Sequence, residues 1–545
     1  MFRIENIRLL QEKVLVDEKC ESINLIVGEN NAGKTTLLTE IYNEVKVLSA
    51  RPPYHNWTFG MKLVIENAEN EITRVFPKLS NGGTFQGFDT INDNIYISKE
   101  QRKEGINWNT NVVEFLNQSR NSKLEYEFKY GNLESDIDLH NFFSFLTNTF
   151  IKGESCVERL NSNFNTVINN INITPENDFV FHLYKNKKLF SIIQKSVKEM
   201  YGYDIEFDNI PQGEKPIRII KAKINKRITD HSLLNKEWDS KTELLDSVGH
   251  GIRSYLKLLF SLYDSTNQIV LIDEPEMFIH PPQRRALGKL IAAISIKEKK
   301  QVFIATHDSE FIRGVISSSI EKVKIFRLIN EKGKHSYLTT NGLEINSILT
   351  KKASGLLNER ILNSFFYKKT VLCENENDRV FYEEGTALYH WKKFHDINFV
   401  GLNGHGIVIK MYNKLRELRI KAIGLVDFDY LRDGHFPISI EDTNLKSQFE
   451  SVQGKLKQLV PDKGAEYNLF KKKGIRYFRK AIYRSLYAEI NSLITNLRKQ
   501  DIFIVPNGEL ESWADSEKND LTHLINTIKK KKIQSLAKFL EKIAQ

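Results

Sequence analysis

The feature that most constrains this chain is the run Gly28-Glu29-Asn30-Asn31-Ala32-Gly33-Lys34-Thr35, set behind the apolar residues 23–27 and ahead of Thr36-Leu37-Leu38. It fits GxxxxGK[ST] in a strand, loop and helix context, which is what gives that pattern physical meaning. Glycines let backbone N–H groups converge on phosphate oxygens, and the helix N-terminus adds a favourable dipole. The spacing therefore predicts a nucleoside triphosphate held by residues 30–36, with Lys34 on the β- and γ-phosphates and Thr35 on Mg²⁺.

Two later strands supply what such a loop needs. Ile269-Val-Leu-Ile-Asp273-Glu274-Pro275 is an apolar run ending in two carboxylates. Asp273 is expected beside Mg²⁺, and Glu274 where it polarises the attacking water. Gln301-Val-Phe-Ile-Ala-Thr306-His307 ends a further run in a histidine, read as a γ-phosphate sensor. Upstream, Ser247-Val-Gly249-His-Gly251 is a second glycine-rich turn before an apolar helix.

These features together resemble ABC-type ATPase domains of the SMC and RecF kind. The resemblance covers residues 1–340, with 100–240 read as a helical insertion that also serves dimerisation. It implies that Ser247 and Gly249 complete the nucleotide site of a second copy, and it makes Gln86 a candidate for the glutamine loop. In the fragment after Asp273-Glu274, Pro275-Glu276 and the later His280-Pro281 fit the usual continuation.

A helical connector is expected over 341–369 and a second α/β domain over 370–545. Val371-Leu-Cys-Glu374 puts a glutamate after a short apolar strand, with Asp378 four residues on. Ala422-Ile-Gly-Leu-Val-Asp427-Phe-Asp429 ends another apolar run in an Asp-x-Asp pair, and alternate strand residues face one way. Ile502-Phe-Ile-Val-Pro-Asn-Gly-Glu509-Leu-Glu511 brings two late glutamates. Converging carboxylates at strand ends suit Mg²⁺, which prefers oxygen ligands.

The order of these groups resembles the Toprim domain. Joined to an ABC-type ATPase, it is similar to the OLD-family nucleases, including Gabija-type and retron-associated anti-phage effectors. By that resemblance Glu374, Asp378, Asp427 and Asp429 are metal ligands, Glu511 is preferred over Glu509, and Glu374, Asp427 and Asp429 carry the chemistry. Asn375 stands where many Toprim domains have glycine, and asparagine tolerates a left-handed turn there. A lysine often assists in this family; Lys529, Lys530, Lys531, Lys532 and Lys538 are its candidates here.

Net charge is +10 and unevenly placed. Residues 463–500 hold ten Lys and Arg against Glu466 and Glu489, interleaved with Tyr467, Phe470, Tyr477, Phe478, Tyr483 and Tyr487. Cations neutralise phosphates and aromatic rings stack on bases, so a basic insertion over 435–500 is read as a DNA path; a solvated helix with its rings in the core is the alternative.

The rest of the composition excludes more than it selects. No apolar run approaches the ~18 residues of a membrane span, and the first residues do not read as a signal peptide. Cys20, Cys156 and Cys373 are too dispersed for a disulfide framework or zinc pair, so a reducing cytoplasm is expected. The reading is then an α/β chain: an ATP-regulated, Mg²⁺- or Mn²⁺-dependent DNA endonuclease for anti-phage defence. It is expected as a homodimer or higher oligomer, off the membrane, with a helicase-like or retron partner. The rival is an ATP-gated DNA-binding clamp or sensor with a vestigial Toprim domain, acting in repair or recruitment.

Overall fold

The alternating N-terminus forms β1 (Phe2–Gln11), which turns back into β2 (Val14–Lys19). β3 (Ile23–Gly28) follows, with every residue buried, and the glycine-rich loop leads into α1 (Lys34–Lys46). In this computed structural model the described residues are 2–11, 14–46, 58–65, 84–85, 88–91, 94–97, 124–129, 151–154, 167–168, 179–208, 213–214, 217–223, 231–264, 267–331, 334–349, 360–513 and 520–545. They divide into two compact units, Met1–Leu343 and Glu344–Gln545. Gln86, Cys156 and residues 350–359 of the connector lie outside the described residues.

In the first unit, β4 (Thr58–Ile65), β5 (Leu124–Lys129) and β6 (Ile151–Glu154) precede β7 (Ile269–Asp273), β8 (Gln301–Ala305), β9 (Val323–Glu331) and β10 (Lys334–Asn341). One sheet is antiparallel, in the order β2-β1-β4-β5. β1 therefore lies inside it, flanked by β2 and β4. The other has the order β10-β9-β3-β8-β7-β6 and is parallel except for β10. Continuous apolar runs suit such strands, because both faces are covered.

The buried side chain of Gln301 ties the two sheets together. Its amide oxygen accepts from Ile4 N at 2.8 Å and its amide nitrogen donates to Ile4 O at 2.9 Å. The segment 100–240 was expected to be a helical insertion. It does contain helices Phe179–Lys185, Lys187–Tyr201 and His231–Lys241, but it also supplies β5 and β6 to the two main sheets. A strand pairs with partners far away in sequence, so its place in a sheet is invisible to local pattern.

Among the described residues the first unit also holds α2 (His250–Tyr263), α3 (Pro281–Lys297) and α4 (Ser309–Ser319). Among the described residues no helix is long and apolar enough to cross a membrane.

The second unit is built on four parallel strands, β11 (Lys369–Cys373), β12 (Ile397–Gly401), β13 (Ala422–Val426) and β14 (Ile502–Ile504). All of their residues are buried, and the sheet order is β12-β11-β13-β14. The order reverses between β11 and β13, the switch point at which open α/β sheets hold ligands beyond their carboxyl ends.

Among the described residues the longer helices of this unit are α5 (Glu376–Tyr389), α6 (His405–Glu417), α7 (Thr443–Leu459), α8 (Ala465–Lys473), α9 (Arg484–Lys499), α10 (Leu521–Lys530) and α11 (Gln534–Ala544). The tail is thus two helices, broken at the lysine run. Leu524, Ile528, Leu536, Leu540 and Ile543 enter the same core as Phe381 and Tyr382 of α5. Each such side chain contributes about 1.5–3 kcal/mol of burial. Lys369 Nζ donates to Ile543 O at 2.9 Å, joining the first strand to the last helix.

Candidate functional site

In the first unit the carboxyl ends of β3, β8 and β7 lie side by side, and each carries an expected site residue. The loop after β3 is contorted: Gly28, Asn31 and Gly33 all have positive φ, at 151°, 66° and 93°. A Cβ on Gly28 would lie 2.5 Å from Leu328 O on the neighbouring strand, so only glycine fits. Asn30, Asn31 and Thr36 are exposed, and Ala32 is buried beneath the loop.

Lys34 is buried and folds back over the loop, its Nζ donating to Gly28 O at 3.1 Å and Glu29 O at 2.9 Å. Burial lowers its pKa, while Glu274, Asp273 and Glu276 oppose the shift. Thr35 Oγ1 donates to Asp273 Oδ2 at 3.0 Å. Glu274 sits at positive φ, 48°, with its amide on Ala305 O of β8. His307 Nδ1 lies 3.3 Å from Glu274 Oε1 and 3.5 Å from Glu276 Oε1. Thr35, Asp273, Glu274 and His307 are thereby brought together, with Lys34 close enough to interact with both carboxylates.

Glu276 is the member that motif reading noticed but gave no role. It is 1% exposed, and its Oε1 accepts from Thr306 Oγ1 at 2.7 Å and His307 N at 3.1 Å. Burial raises its pKa, against those hydrogen bonds and the nearby His307. It thus fixes the turn that presents His307. Ser247 and Gly249 stand exposed ahead of α2.

In the second unit Glu374 follows β11, and Asp427 and Asp429 follow β13, across the switch point. Glu374 Oε1 accepts from the Asp427 amide at 2.8 Å. The Asp-x-Asp pair lies beyond the strand, not on it: β13 ends at Val426 and Asp429 has helical backbone angles. The pair is brought together by this turn rather than by strand alternation. Asn375 is likewise extended, with φ −145°, so no left-handed turn is needed. It caps α5 instead: its side chain accepts from Asp378 N at 3.0 Å while Asp378 Oδ2 accepts from Asn375 N at 3.2 Å. One carboxylate oxygen of Asp378 is therefore committed to the cap.

Burial and charge repulsion together mark the cluster. Burial, then Asp429 and Asp378, raise Glu374 to about 7 against its bond from Asp427 N. Burial, Glu511 and Glu509 raise Asp378 to about 7 against its bonds to Asn375. Burial, Glu374, Asp378, Asp429 and Glu509 push Asp427 well above the carboxylate range. Both late glutamates act on the group: Glu509 on Asp378 and Asp427, and Glu511 on Asp378.

Among the described residues no three acidic, cysteine or histidine side chains already stand in metal-binding geometry. The donors nevertheless suit a hard divalent cation. They are all carboxylate oxygens, and Asp429 Oδ1 is buried with no hydrogen-bond partner.

The cation found beside them was not expected from the sequence. Lys471 Nζ, from α8, lies 2.8 Å from Asp429 Oδ2 and 3.7 Å from Glu509 Oε1. Burial pulls its pKa down, but Asp429 and Glu509 more than reverse that. Of the candidate lysines, Lys529 pairs with Glu384 at 3.3 Å. The aromatic residues of the basic segment also turn inward: Phe470 and Phe478 are fully buried, and the Tyr467 and Tyr477 hydroxyls donate to Asp433 and Glu466. Phe470 and Phe478 are thus core rings and not base-stacking platforms, whereas Lys472, Lys473 and Arg476 remain exposed.

The family model described as "AAA domain, putative AbiEii toxin, Type IV TA system" matches residues 110–313, which include Asp273, Glu274 and His307 but begin after the glycine-rich loop. The chain is 22% identical to Endonuclease GajA of Bacillus cereus (strain HuB5-5) over 503 residues, covering 75% of this chain and 71% of that protein. It is 23% identical to Old nuclease of Escherichia phage P2 over 296 residues, 48% of each. These relatives bear out the resemblance to OLD-family nucleases; they give the retron link no support.

Among solved structures, an Smc head bound to the C-winged helix domain of ScpA matches at TM-score 0.31 and 13% identity, covering 62% of this chain and 97% of that one. The SMC head domain from Thermotoga maritima matches at 0.30 and 10%, covering 62% and 99%. The strand order above, not these matches, defines the fold.

Proposed function

We propose that this chain is an ATP-regulated, divalent-metal-dependent DNA endonuclease. The observation that carries the reading is the set Glu374, Asp427 and Asp429 at the switch point of a parallel sheet, where burial first and mutual repulsion second hold Glu374 and Asp427 above the carboxylate range. Such repulsion is relieved by a bound cation, and perturbed carboxylates grouped in this way mark functional sites. That both curated relatives are named as nucleases supports the same conclusion.

In this reading Glu374, Asp378, Asp427 and Asp429 hold Mg²⁺ or Mn²⁺, with Glu509 and Glu511 beside them. When bound, two such ions polarise a phosphodiester and lower the pKa of an attacking water. The chain's own part is to keep the carboxylates oriented. The Asp427 amide fixes Glu374, the Asn375 cap fixes Asp378, and Glu374, Asp427 or Asp429 accepts the proton released by water.

In the ATPase unit, Lys34 exchanges the carbonyls of Gly28 and Glu29 for phosphate oxygens. Thr35 and Asp273 hold the nucleotide's Mg²⁺, Glu274 takes the proton of the attacking water, and His307 rests against Glu274 to register the γ-phosphate. Exposed Ser247 and Gly249 are assigned to the nucleotide of a second copy, which makes a two-fold dimer the working assembly. The biological role that fits is cytoplasmic anti-phage defence.

The test is nicking of supercoiled plasmid by the purified chain with Mg²⁺ or Mn²⁺, with and without ATP, beside the Asp427→Asn variant. Cleavage that needs metal and disappears in the variant supports the reading. DNA binding without metal-dependent cleavage refutes it in favour of an ATP-gated clamp. Light scattering with a non-hydrolysed ATP analogue reports the dimer.

A further inference from the structure

Lys471 faces inward where the basic residues that follow it face out. Its neighbours Lys472, Lys473 and Arg476 are exposed, whereas its ammonium lies on Asp429 Oδ2 at 2.8 Å with Glu509 Oε1 at 3.7 Å. The backbone holds it there. Gly508 in the late-glutamate turn, at φ 108°, and Gly474 after α8, at φ 52°, pass so closely that a Cβ on Gly508 would lie 2.0 Å from Lys471 O and one on Gly474 2.4 Å from Gly508 N. Ile475 N donates to Pro506 O at 3.0 Å, and Ser512 Oγ donates to Lys472 O at 2.7 Å. Phe428 N, between the two aspartates, donates to Gly508 O at 3.2 Å. The end of α8, the Asp-x-Asp turn and the Glu509 turn are thus one rigid junction, and the side chain of Lys471 is its movable part.

Asp429 is the pivot. One carboxylate oxygen carries the ammonium, and the other, Oδ1, is buried without a hydrogen-bond partner. A divalent ion that uses this carboxylate meets a positive charge already seated on it. Two cations on one carboxylate in a poorly solvated site repel strongly. The lysine can relieve this without unfolding anything, because its four-carbon stem is flexible and solvent begins at the adjacent Lys472.

We propose that Lys471 is the built-in counter-cation of the carboxylate cluster, and that a divalent metal enters by exchange with it. The inference rests on the metal-centre reading above and deepens it. In the metal-free protein the lysine neutralises Asp429 and Glu509. On loading it swings outward and joins Lys472, Lys473 and Arg476 as a fourth phosphate-binding cation. Metal occupancy and DNA affinity are thereby coupled through one side chain.

The experiment is calorimetric titration of the full chain, free of nucleotide and DNA, with MnCl₂ alone. Asp427→Asn identifies the heat that belongs to this site. Lys471→Gln is expected to bind Mn²⁺ about fivefold or more tightly, since the competing charge is gone. It should also melt lower than wild type in EDTA, with a larger rise on adding Mn²⁺. Lys471→Arg keeps the charge and grips carboxylates with a planar fork, so its Mn²⁺ affinity should fall by about threefold or more. Lys472→Gln controls for net charge and should stay within about twofold of wild type.

Unchanged or weaker Mn²⁺ binding in Lys471→Gln overturns the exchange, as does an equal gain in Lys472→Gln. Should Lys471→Gln fail to fold, Mn²⁺ binding by Lys471→Arg at or above wild-type strength overturns it instead. If wild type gives no heat that Asp427→Asn removes, the metal-centre reading itself falls and the exchange with it.

Discussion

Thr35 Oγ1 and Asp273 Oδ2 are hydrogen-bonded at 3.0 Å although 238 residues separate them in sequence. The sheet order brings them together, since the strands that end at Gly28 and Asp273 flank the strand ending at Ala305. A hydroxyl and a carboxylate at that separation are two hard oxygens suited to one Mg²⁺. Glu274 and His307 adjoin them, which divides the expected mutant effects cleanly.

Lys34→Ala should weaken ATP binding by about 100-fold or more, because a desolvated charge on the phosphates is lost. Glu274→Gln should leave binding intact and slow hydrolysis by about 10²- to 10⁴-fold, the range for a lost general base. Fluorescent-nucleotide binding and phosphate release read these separately. Wild-type hydrolysis by Glu274→Gln would displace Glu274 from its assigned role.

Stability of the metal-free protein should depend on pH through Glu374 and Asp378. Both stand at about 7 in the folded chain, above the unfolded values of about 4.3 and 3.9. The folded state then binds more protons than the unfolded one between those limits. The contribution is fully present below about pH 4 and is lost as pH rises through 7. In EDTA, Glu374→Gln should therefore flatten the fall in Tm between pH 5 and 8 measured by scanning calorimetry, with ranges set by those same pKa values. An identical fall in wild type and variant would remove Glu374 as its source.

Leu540 is fully buried in the core shared by the last helix and Glu376–Tyr389, and its Cδ1 closely approaches Gly385. Leu540→Ala should cost about 2–5 kcal/mol, as large-to-small changes in packed cores do. Urea unfolding followed by circular dichroism measures this. A loss confined to a few tenths of a kcal/mol would mean that the tail is not integral to the second unit.

The outward cations can be tested without disturbing Lys471. Replacing Lys472, Lys473 and Arg476 by Gln should flatten the salt dependence of duplex binding by up to about 0.9 in log–log slope per phosphate contact removed. Stability should change by no more than about 0.5 kcal/mol, as for other surface substitutions. Anisotropy titrations at several salt concentrations decide it, and an unchanged slope would move the DNA path away from this face.

Sequence alone determined the parts whose chemistry is local. Glycines at this spacing between an apolar strand and a helix announce a tight turn at a helix N-terminus, so the strand, loop and helix from 23 to 46 were legible. Buried strands leading up to Asp273, Glu374 and Asp427 were legible too, because continuous apolar runs mark parallel strands and their ends mark the open edge of the sheet. Tertiary structure decided whatever depends on distant partners. Residues 151–154 read as nothing in particular until they pair beside 269–272. Gln301 is an ordinary polar residue until it meets Ile4. The rings of Phe470 and Phe478 could have served bases or a core, and only packing chose the core. Lys471 looked like one of three equivalent lysines, because the direction in which a side chain points on a short helix depends on what that helix is pressed against. Here it is pressed against the Gly508 turn, and that places its ammonium on a carboxylate 42 residues earlier in the chain.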